Sequence, residues 1–335
     1  MNDYDLTTLI ISYYYLVFMI VAVSANSLLM FLIKCRSPHI ANGFKIILIN
    51  TAANEVLLAV MQSALQVRLL PSGTVLALLP AGPLRHLGPT VCFIAYNVIN
   101  ALNLNIGISV FHSTYFRYRV IKDNELSSEQ VQRNLLVSFM LPIFVAAITC
   151  TSPFHFDTVM EVAIQEHPEY SLREYGPFGG FSSTTNPLFV LKSMILFIAS
   201  VALPATIFHY RRLIVKALSS PGAALTEKTR ENSRILLQGL TAQALIPLLC
   251  IVPIVLLYFI SQFNGNGFAA GEFLMPIFTT LHCAIGPLFT IYFITPYREW
   301  VINLINHPVQ RFRLMVSSLI QPRTQNTFVN VVSKV

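Results

Sequence analysis

Charge is scarce in this 335-residue sequence. Only 11% of its side chains are Asp, Glu, Lys or Arg, against about 25% in a typical soluble domain. A soluble fold could not cover its surface with so few charges, since 54% of the residues are hydrophobic. The same numbers exclude intrinsic disorder. The five cysteines (Cys35, Cys92, Cys150, Cys250, Cys283) form no CxxC and no metal-ligand spacing. There is no HExxH, no Gly-rich phosphate loop, no N-x-[ST] sequon and no internal repeat. His112, His209 and His282 stand alone, without a carboxylate pair nearby. Hydrolytic machinery, a metal centre and a resident cofactor therefore have no sequence support. The reading is of a non-enzyme.

What the chain does have is long apolar runs. About 20 residues of helix cross a hydrocarbon core of about 30 Å. Seven segments qualify: residues 9–33, 46–66, 91–116, 134–154, 188–210, 235–261 and 273–294. The first has no basic stretch before it, so it reads as a retained helix and not as a cleaved signal. The net charge of +7 comes from short basic clusters between these runs, a pattern that indicates membrane topology and not a nucleic-acid partner. With the N-terminus outside, 18 of the 22 basic residues fall on the cytoplasmic side, and only Arg68, Arg85, Arg173 and Lys192 do not. The expected fold is an all-α seven-helix membrane bundle, one domain over residues 1–335, with the N-terminus outside. Residues 155–187 form its largest outer loop, which is acidic. The cytoplasmic tail, 295–335, begins with a short amphipathic helix over 297–306, with Trp300, Val301, Leu304 and Ile305 on one face, and its last twenty or so residues read as disordered.

Few residues carry polar chemistry inside the spans. Glu55 is the one acid there. A charge at mid-bilayer costs roughly 2.5–3.5 kcal/mol on insertion scales, so it faces the bundle interior. It reads either as an ion, proton or switch site or as a hydrogen-bonded packing residue. The third span carries Asn97, Asn100, Asn103 and Asn105. At 100° per residue, Tyr96, Asn100 and Asn103 share a face with Asn97 at its edge, a ligand wall or interhelical glue. Lys192, near the outer end of the fifth span, points to a ligand or snorkels to headgroups. Tyr258 contacts a ligand or belongs to an interfacial aromatic belt. Cys92 opens the third span and Cys150 closes the fourth, both near the oxidising face. A disulfide and two buried thiols are the alternatives. Prolines at 142, 204, 247, 253, 276 and 287 permit kinks in the later spans.

Local motifs add a resemblance. Ala25-Asn26-Ser27-Leu28 is similar to the first helix of rhodopsin-like receptors. Residues 48–57, LINTAANEVL, resemble their second helix, with Glu55 at the place of the buried aspartate. Arg117-Tyr118 resembles the DRY motif with Phe116 in place of the acid. Cys250-Ile251-Val252-Pro253 resembles CWxP without the Trp. Gly286-Pro287 with Tyr292 resembles NPxxY without its Asn. The stretches LIKCRSPHIANGFKIILINTA, AGPLRHLGPTVCFIAYN and ITPYREW more closely resemble nematode serpentine receptors of class delta. That resemblance implies a chemosensory G-protein-coupled receptor in the plasma membrane of sensory neurons. Its partners would be a small-molecule ligand, a heterotrimeric G protein and membrane lipid. Asn26 and Glu55 would be its buried polar switch. The expected pocket residues are Tyr96, Asn97, Asn100, Asn103, Lys192, Tyr258 and Met275. The expected G-protein face is Arg117, Tyr118, Arg211, Arg212, Lys228, Arg230 and Arg234. The rival reading is a seven-helix ligand-gated channel or transporter. An intramembrane enzyme would need a Ser–His pair or two aspartates at membrane depth, and the spans contain no Asp.

Overall fold

A computed structural model describes residues 3–36, 42–72, 74–122, 126–151, 154–219, scattered positions between 235 and 260, and residues 269–306. Among them, six helices are long and apolar enough to cross a membrane. Helices α1 (Asp3–Cys35) and α3 (Pro89–Ile121) run past both expected ends of their spans, and α2 (Asn42–Leu65) starts four residues before its span. Polar and basic side chains can be carried on a helix that continues beyond the apolar core, so hydropathy underestimates such lengths.

The fourth span differs from expectation. It runs as α4 (Ser128–Ser138) and α5 (Met140–Ile148), and so starts and ends about six residues early. Ser127 starts it with a capping box: its hydroxyl accepts from Gln130 N, and Gln130 Oε1 accepts from Ser127 N. The break at Phe139 follows from Pro142, which has no N–H for the Ser138 carbonyl and crowds it sterically. Helix α8 (Pro187–Leu218) is the fifth span, capped by Asn186. The described positions between Ile235 and Ile260 are all helical. Helix α9 (Ala269–Phe293) is the seventh span and α10 (Thr295–Asn306) follows it. On α10, Tyr297 and Trp300 are buried, whereas Ile305 is 71% exposed and lies off the expected face. The rest of the tail lies outside the described residues.

Two outer connections that read as loops are structured. Residues 67–80 form a hairpin, β1 (Val67–Ser72) and β2 (Val75–Pro80), with Val67 opposite Pro80 and Ser72 opposite Val75. The expected loop 155–187 contains α6 (Phe156–Glu166), α7 (Leu172–Tyr175) and β3 (Gly179–Phe181). Strand β3 adds antiparallel to β2, with Ala77 opposite Gly180. A Cβ at Gly180 would collide with the Leu76–Ala77 backbone, so the strand can approach only as glycine. Alternation gives this sheet two apolar faces. Leu70, Ala77 and Leu79 pack under α6 with Val159, Ala163 and Phe178. Val67, Leu76 and Leu78 join Phe93 and Phe181 on the bundle side. The result is a cap over the end that carries the N-terminus, which the charge count assigns to the outside.

Lipid tails are as apolar as leucine, so polar cross-links and close packing hold the helices to one another. Asn50 Nδ2 donates to Ser109 Oγ at 3.0 Å, joining α2 to α3. Gln62 Nε2 donates to Thr279 Oγ1 at 3.0 Å, joining α2 to α9. Tyr14 and Thr280 share a hydroxyl contact of 2.5 Å, joining α1 to α9. Such contacts average about 0.6 kcal/mol in membrane proteins.

Candidate functional site

Beneath the cap, α2, α3, α8 and α9 enclose a cavity of about 740 Å³, within the roughly 300–1,000 Å³ of ordinary ligand sites. Leu69 and Leu76 of the hairpin line its roof together with Phe189. Tyr96, Asn100 and Asn103 of α3 and Met275 of α9 line its outer half, as do Thr279 and His282. Leu104, Val110, Leu196, Leu203 and Ile207 supply the apolar wall. Neither Asn100 nor Asn103 has a side-chain hydrogen-bond partner among the described residues.

Asn97 and Lys192 are not on this wall. Lys192 Nζ donates to Asn97 Oδ1 at 2.5 Å, and Thr149 Oγ1 donates to the same oxygen at 2.8 Å. The Asn97 amide donates to Phe93 O at 2.9 Å. Lys192 lies over the rings of Phe181 and Tyr96, at 4.7 and 5.3 Å from their centroids. With 3% exposure, it does not snorkel. Its ammonium is held by an amide oxygen and two aromatic faces, which satisfy it without a carboxylate. The cluster ties α3, α5 and α8 to β3, behind the cavity. Cys92 and Cys150 are free thiols. Cys92 Sγ donates to Leu84 O and Cys150 Sγ to Ala146 O, so each thiol is engaged locally and not with the other.

Glu55 reaches the cavity at mid-depth and is 5% exposed. Its carboxylate fills the space opposite Gly286, where a Cβ would lie 2.8 Å from Oε1. A side chain at 286 would have to displace it. Asn26 points toward the same helix: its Nδ2 donates to Cys283 O at 3.2 Å and to Ala22 O at 3.0 Å.

A second polar centre lies at the cap. Arg68 of β1 meets Glu272 of α9, with Nε to Oε2 at 2.7 Å and Nη2 to Oε2 at 2.6 Å. The side chains are 4% and 1% exposed. Tyr170 OH donates to Glu272 Oε1 at 3.2 Å, and the guanidinium lies 4.4 Å from the Tyr170 ring and 4.6 Å from that of Phe273. This ion pair fastens the hairpin to α9.

At the inner end, Arg117 folds back onto α2, 4.4 Å from the Phe44 ring. Its Nε and that of Arg211 have no hydrogen-bond partner among the described residues. Phe116 is buried and stacks on Phe44 at 5.9 Å. Tyr118 packs on Tyr210 at 5.3 Å, and Arg212 is exposed. Tyr258, Lys228, Arg230 and Arg234 lie outside the described residues.

Residues 11–303 match the family described as serpentine type 7TM GPCR chemoreceptor Srd. The chain belongs to the Srd family. Among its relatives, serpentine receptor class delta-59 of Caenorhabditis elegans is 28% identical over 85% of this chain and 88% of its own. Class delta-51 of the same organism is 27% identical over 86% and 85%. Class delta-63 is 28% identical over 75% and 79%. An Srd chain is thus a multi-pass membrane chemoreceptor of the serpentine type, from a receptor family and not an enzyme family.

Sequence reasoning misses several residues of this Srd receptor. Arg68 and Glu272 are 204 positions apart, and nothing in either neighbourhood marks them as a pair. The hairpin did leave a signal: Pro71-Ser72-Gly73 between two apolar runs is a turn signature. Thr279 and His282 lie four and seven residues after Met275, on the cavity face of the same helix, a spacing that marks them once Met275 is placed there.

Proposed function

We propose that this Srd receptor is a chemosensory receptor of the plasma membrane of sensory neurons, with its N-terminus outside. It binds a small molecule in the cavity under the cap and activates a heterotrimeric G protein at its inner face. The cavity itself carries the reading, because it is large, mostly apolar, and offers two amides, Asn100 and Asn103, that have no partner among the described residues and would orient a ligand. Tyr96 and Met275 contact the same ligand. Asn97 and Lys192 act from behind, by positioning Tyr96 and β3. Asn26 and Glu55 form the polar switch between α1, α2 and α9. Ligand shifts the equilibrium between two arrangements of the inner helix ends only by its differential affinity for them. Arg117, Tyr118, Arg211, Arg212, Lys228, Arg230 and Arg234 meet the G protein.

The test is a calcium-response screen of volatile and soluble metabolites in cells carrying a promiscuous G protein. An active compound should lose at least ten-fold in potency on Asn100→Leu or Asn103→Leu, with surface expression unchanged. A ligand-gated current from the purified protein in liposomes, without G protein, would instead establish the channel reading. The roof of Leu69 and Leu76 opposes a conducting path.

A further inference from the structure

We infer that the cavity is shaped for an elongated, uncharged amphiphile, one hydrogen-bonding head on a long hydrocarbon chain, which arrives from the bilayer past α8 and not from water through the cap. This rests on the reading above that the cavity is the ligand site.

Length is the first argument. The lining runs on α3 from Tyr96 to Ser113. Seventeen residues of helix rise about 26 Å. The volume of about 740 Å³ is drawn out along that length. That is an elongated tube, long enough to take an extended hydrocarbon chain. A compact ligand would leave most of it empty.

The second argument is the distribution of polar groups. Asn100, Asn103 and Thr279 stand in the outer half, where a hydroxyl or carbonyl head can satisfy the two amides. Deeper, Leu203, Val110 and Ile207 face the chain. Among the described lining residues Glu55 is the one carboxylate, and none is a Lys or Arg that would balance an anionic head. Lys192 is spent on Asn97.

The third argument concerns access. Leu76 under the cap is 6% exposed and the Arg68–Glu272 pair is buried beside the roof. Water-borne ligands would have to break that pair and cross an apolar sheet. Phe197, by contrast, lines the cavity and is 54% exposed, and Ser193 is also both lining and exposed. Helix α8 buries only Lys192, Pro204, Ile207, Ile214 and Leu218 along its 32 residues. Among the described residues it is a thin wall between cavity and lipid.

The experiment uses the full chain in phosphatidylcholine nanodiscs, without G protein, and diazirine-bearing hexadecanol, hexanol and hexadecanoic acid. Crosslinked residues are read by mass spectrometry. Hexadecanol should label residues 100–110 and 196–207 at least ten-fold above hexanol and above the acid. Gly107, whose Cβ would sit 3.1 Å from Leu203, offers the block. Gly107→Leu should cut labelling ten-fold, and the milder Gly107→Ala should cut it measurably if the leucine variant does not fold. Ile143→Leu, on the lipid-exposed face, should leave it unchanged. Phe197→Trp should slow labelling, while Arg68→Met with Glu272→Leu should not hasten it.

Equal labelling by hexanol, or labelling confined to lipid-facing residues, overturns the ligand class. Faster labelling on release of the cap overturns the route. Stoichiometric phosphatidylcholine retained by the wild type and lost in Gly107→Leu would show that bilayer lipid, and not a free amphiphile, fills the tube, and would overturn the proposal. Labelling without any nucleotide exchange on added G protein keeps this inference and removes the receptor reading. Exchange driven by short soluble compounds without labelling does the reverse.

Discussion

At the outer end, Arg68 and Glu272 meet at 2.6 Å behind two aromatic rings. At the inner end, Arg117 rests 4.4 Å from the face of Phe44, with no ion pair among the described residues. Both places set a guanidinium against aromatics, Arg68 buried and Arg117 half-buried, but among the described residues only the outer one has a carboxylate partner. The outer contact is geometrically exacting, because a buried pair holds only while both partners stay in register. The inner contact is a broad ring face that tolerates sliding, worth about 0.5–2 kcal/mol. A receptor in which the cap is locked and the inner ends are loosely stacked can rearrange inside while its outer roof stays put.

The largest test of that contrast is to cut the latch. Arg68→Met alone should leave Glu272 buried and unpaired, at a cost of about 3–5 kcal/mol, seen as a lower melting temperature in detergent and reduced surface expression. The double variant Arg68→Met/Glu272→Leu should recover most of the loss. If it melts as low as the single variant, the pair is not the fastening.

A different outcome is expected at the inner end. Phe116→Asp places a carboxylate beside Arg117 and removes the Phe44 stack. Losing a buried Phe costs about 3 kcal/mol or more, partly offset by the new pair. Basal G-protein signalling, normalised to surface receptor, should fall below that of the parent. A parent with equal or lower basal activity would mean that the unpaired arginine does not loosen the resting state.

Between the two ends lies the Lys192 cluster. Asn97→Leu should strand the ammonium without its acceptor and cost about 1.5–3 kcal/mol by thermal unfolding. Asn97→Leu/Lys192→Met should restore stability, since both polar partners are then gone. A snorkelling lysine would make Asn97→Leu silent in this assay.

The smallest effect is expected at the thiols. Cys92→Ser and Cys150→Ser should each shift stability by less than about 1 kcal/mol, where loss of a disulfide would cost about 2–5 kcal/mol. Non-reducing electrophoresis and thiol titration of the denatured parent should find both thiols reactive.

Much of this architecture was legible in one dimension. Hydropathy located every span that the described residues show, because 20 apolar residues in lipid have almost no alternative to a helix. The helical phase of Tyr96, Asn100 and Asn103 placed them on one face, and the structure brings that face to the cavity. Asn97, one residue from that face, turns instead to Thr149 and Lys192. The kink that Pro142 permits does appear, at Phe139, but hydropathy misplaced the fourth span's bounds by about six residues, and Gly180 lets β3 join a sheet in what read as a loop.

The sequence by itself determined that the chain crosses lipid and which faces of its helices turn inward, since the cost of leaving a polar group in hydrocarbon is local and can be summed residue by residue. Only the tertiary structure decided which inward groups meet. The joining of Arg68 to Glu272, of Lys192 to Asn97 and of Glu55 to the space at Gly286 depends on how helices rotate and cross. Those angles are set by many contacts, each worth less than about 1 kcal/mol, none of which leaves a mark in the order of the residues.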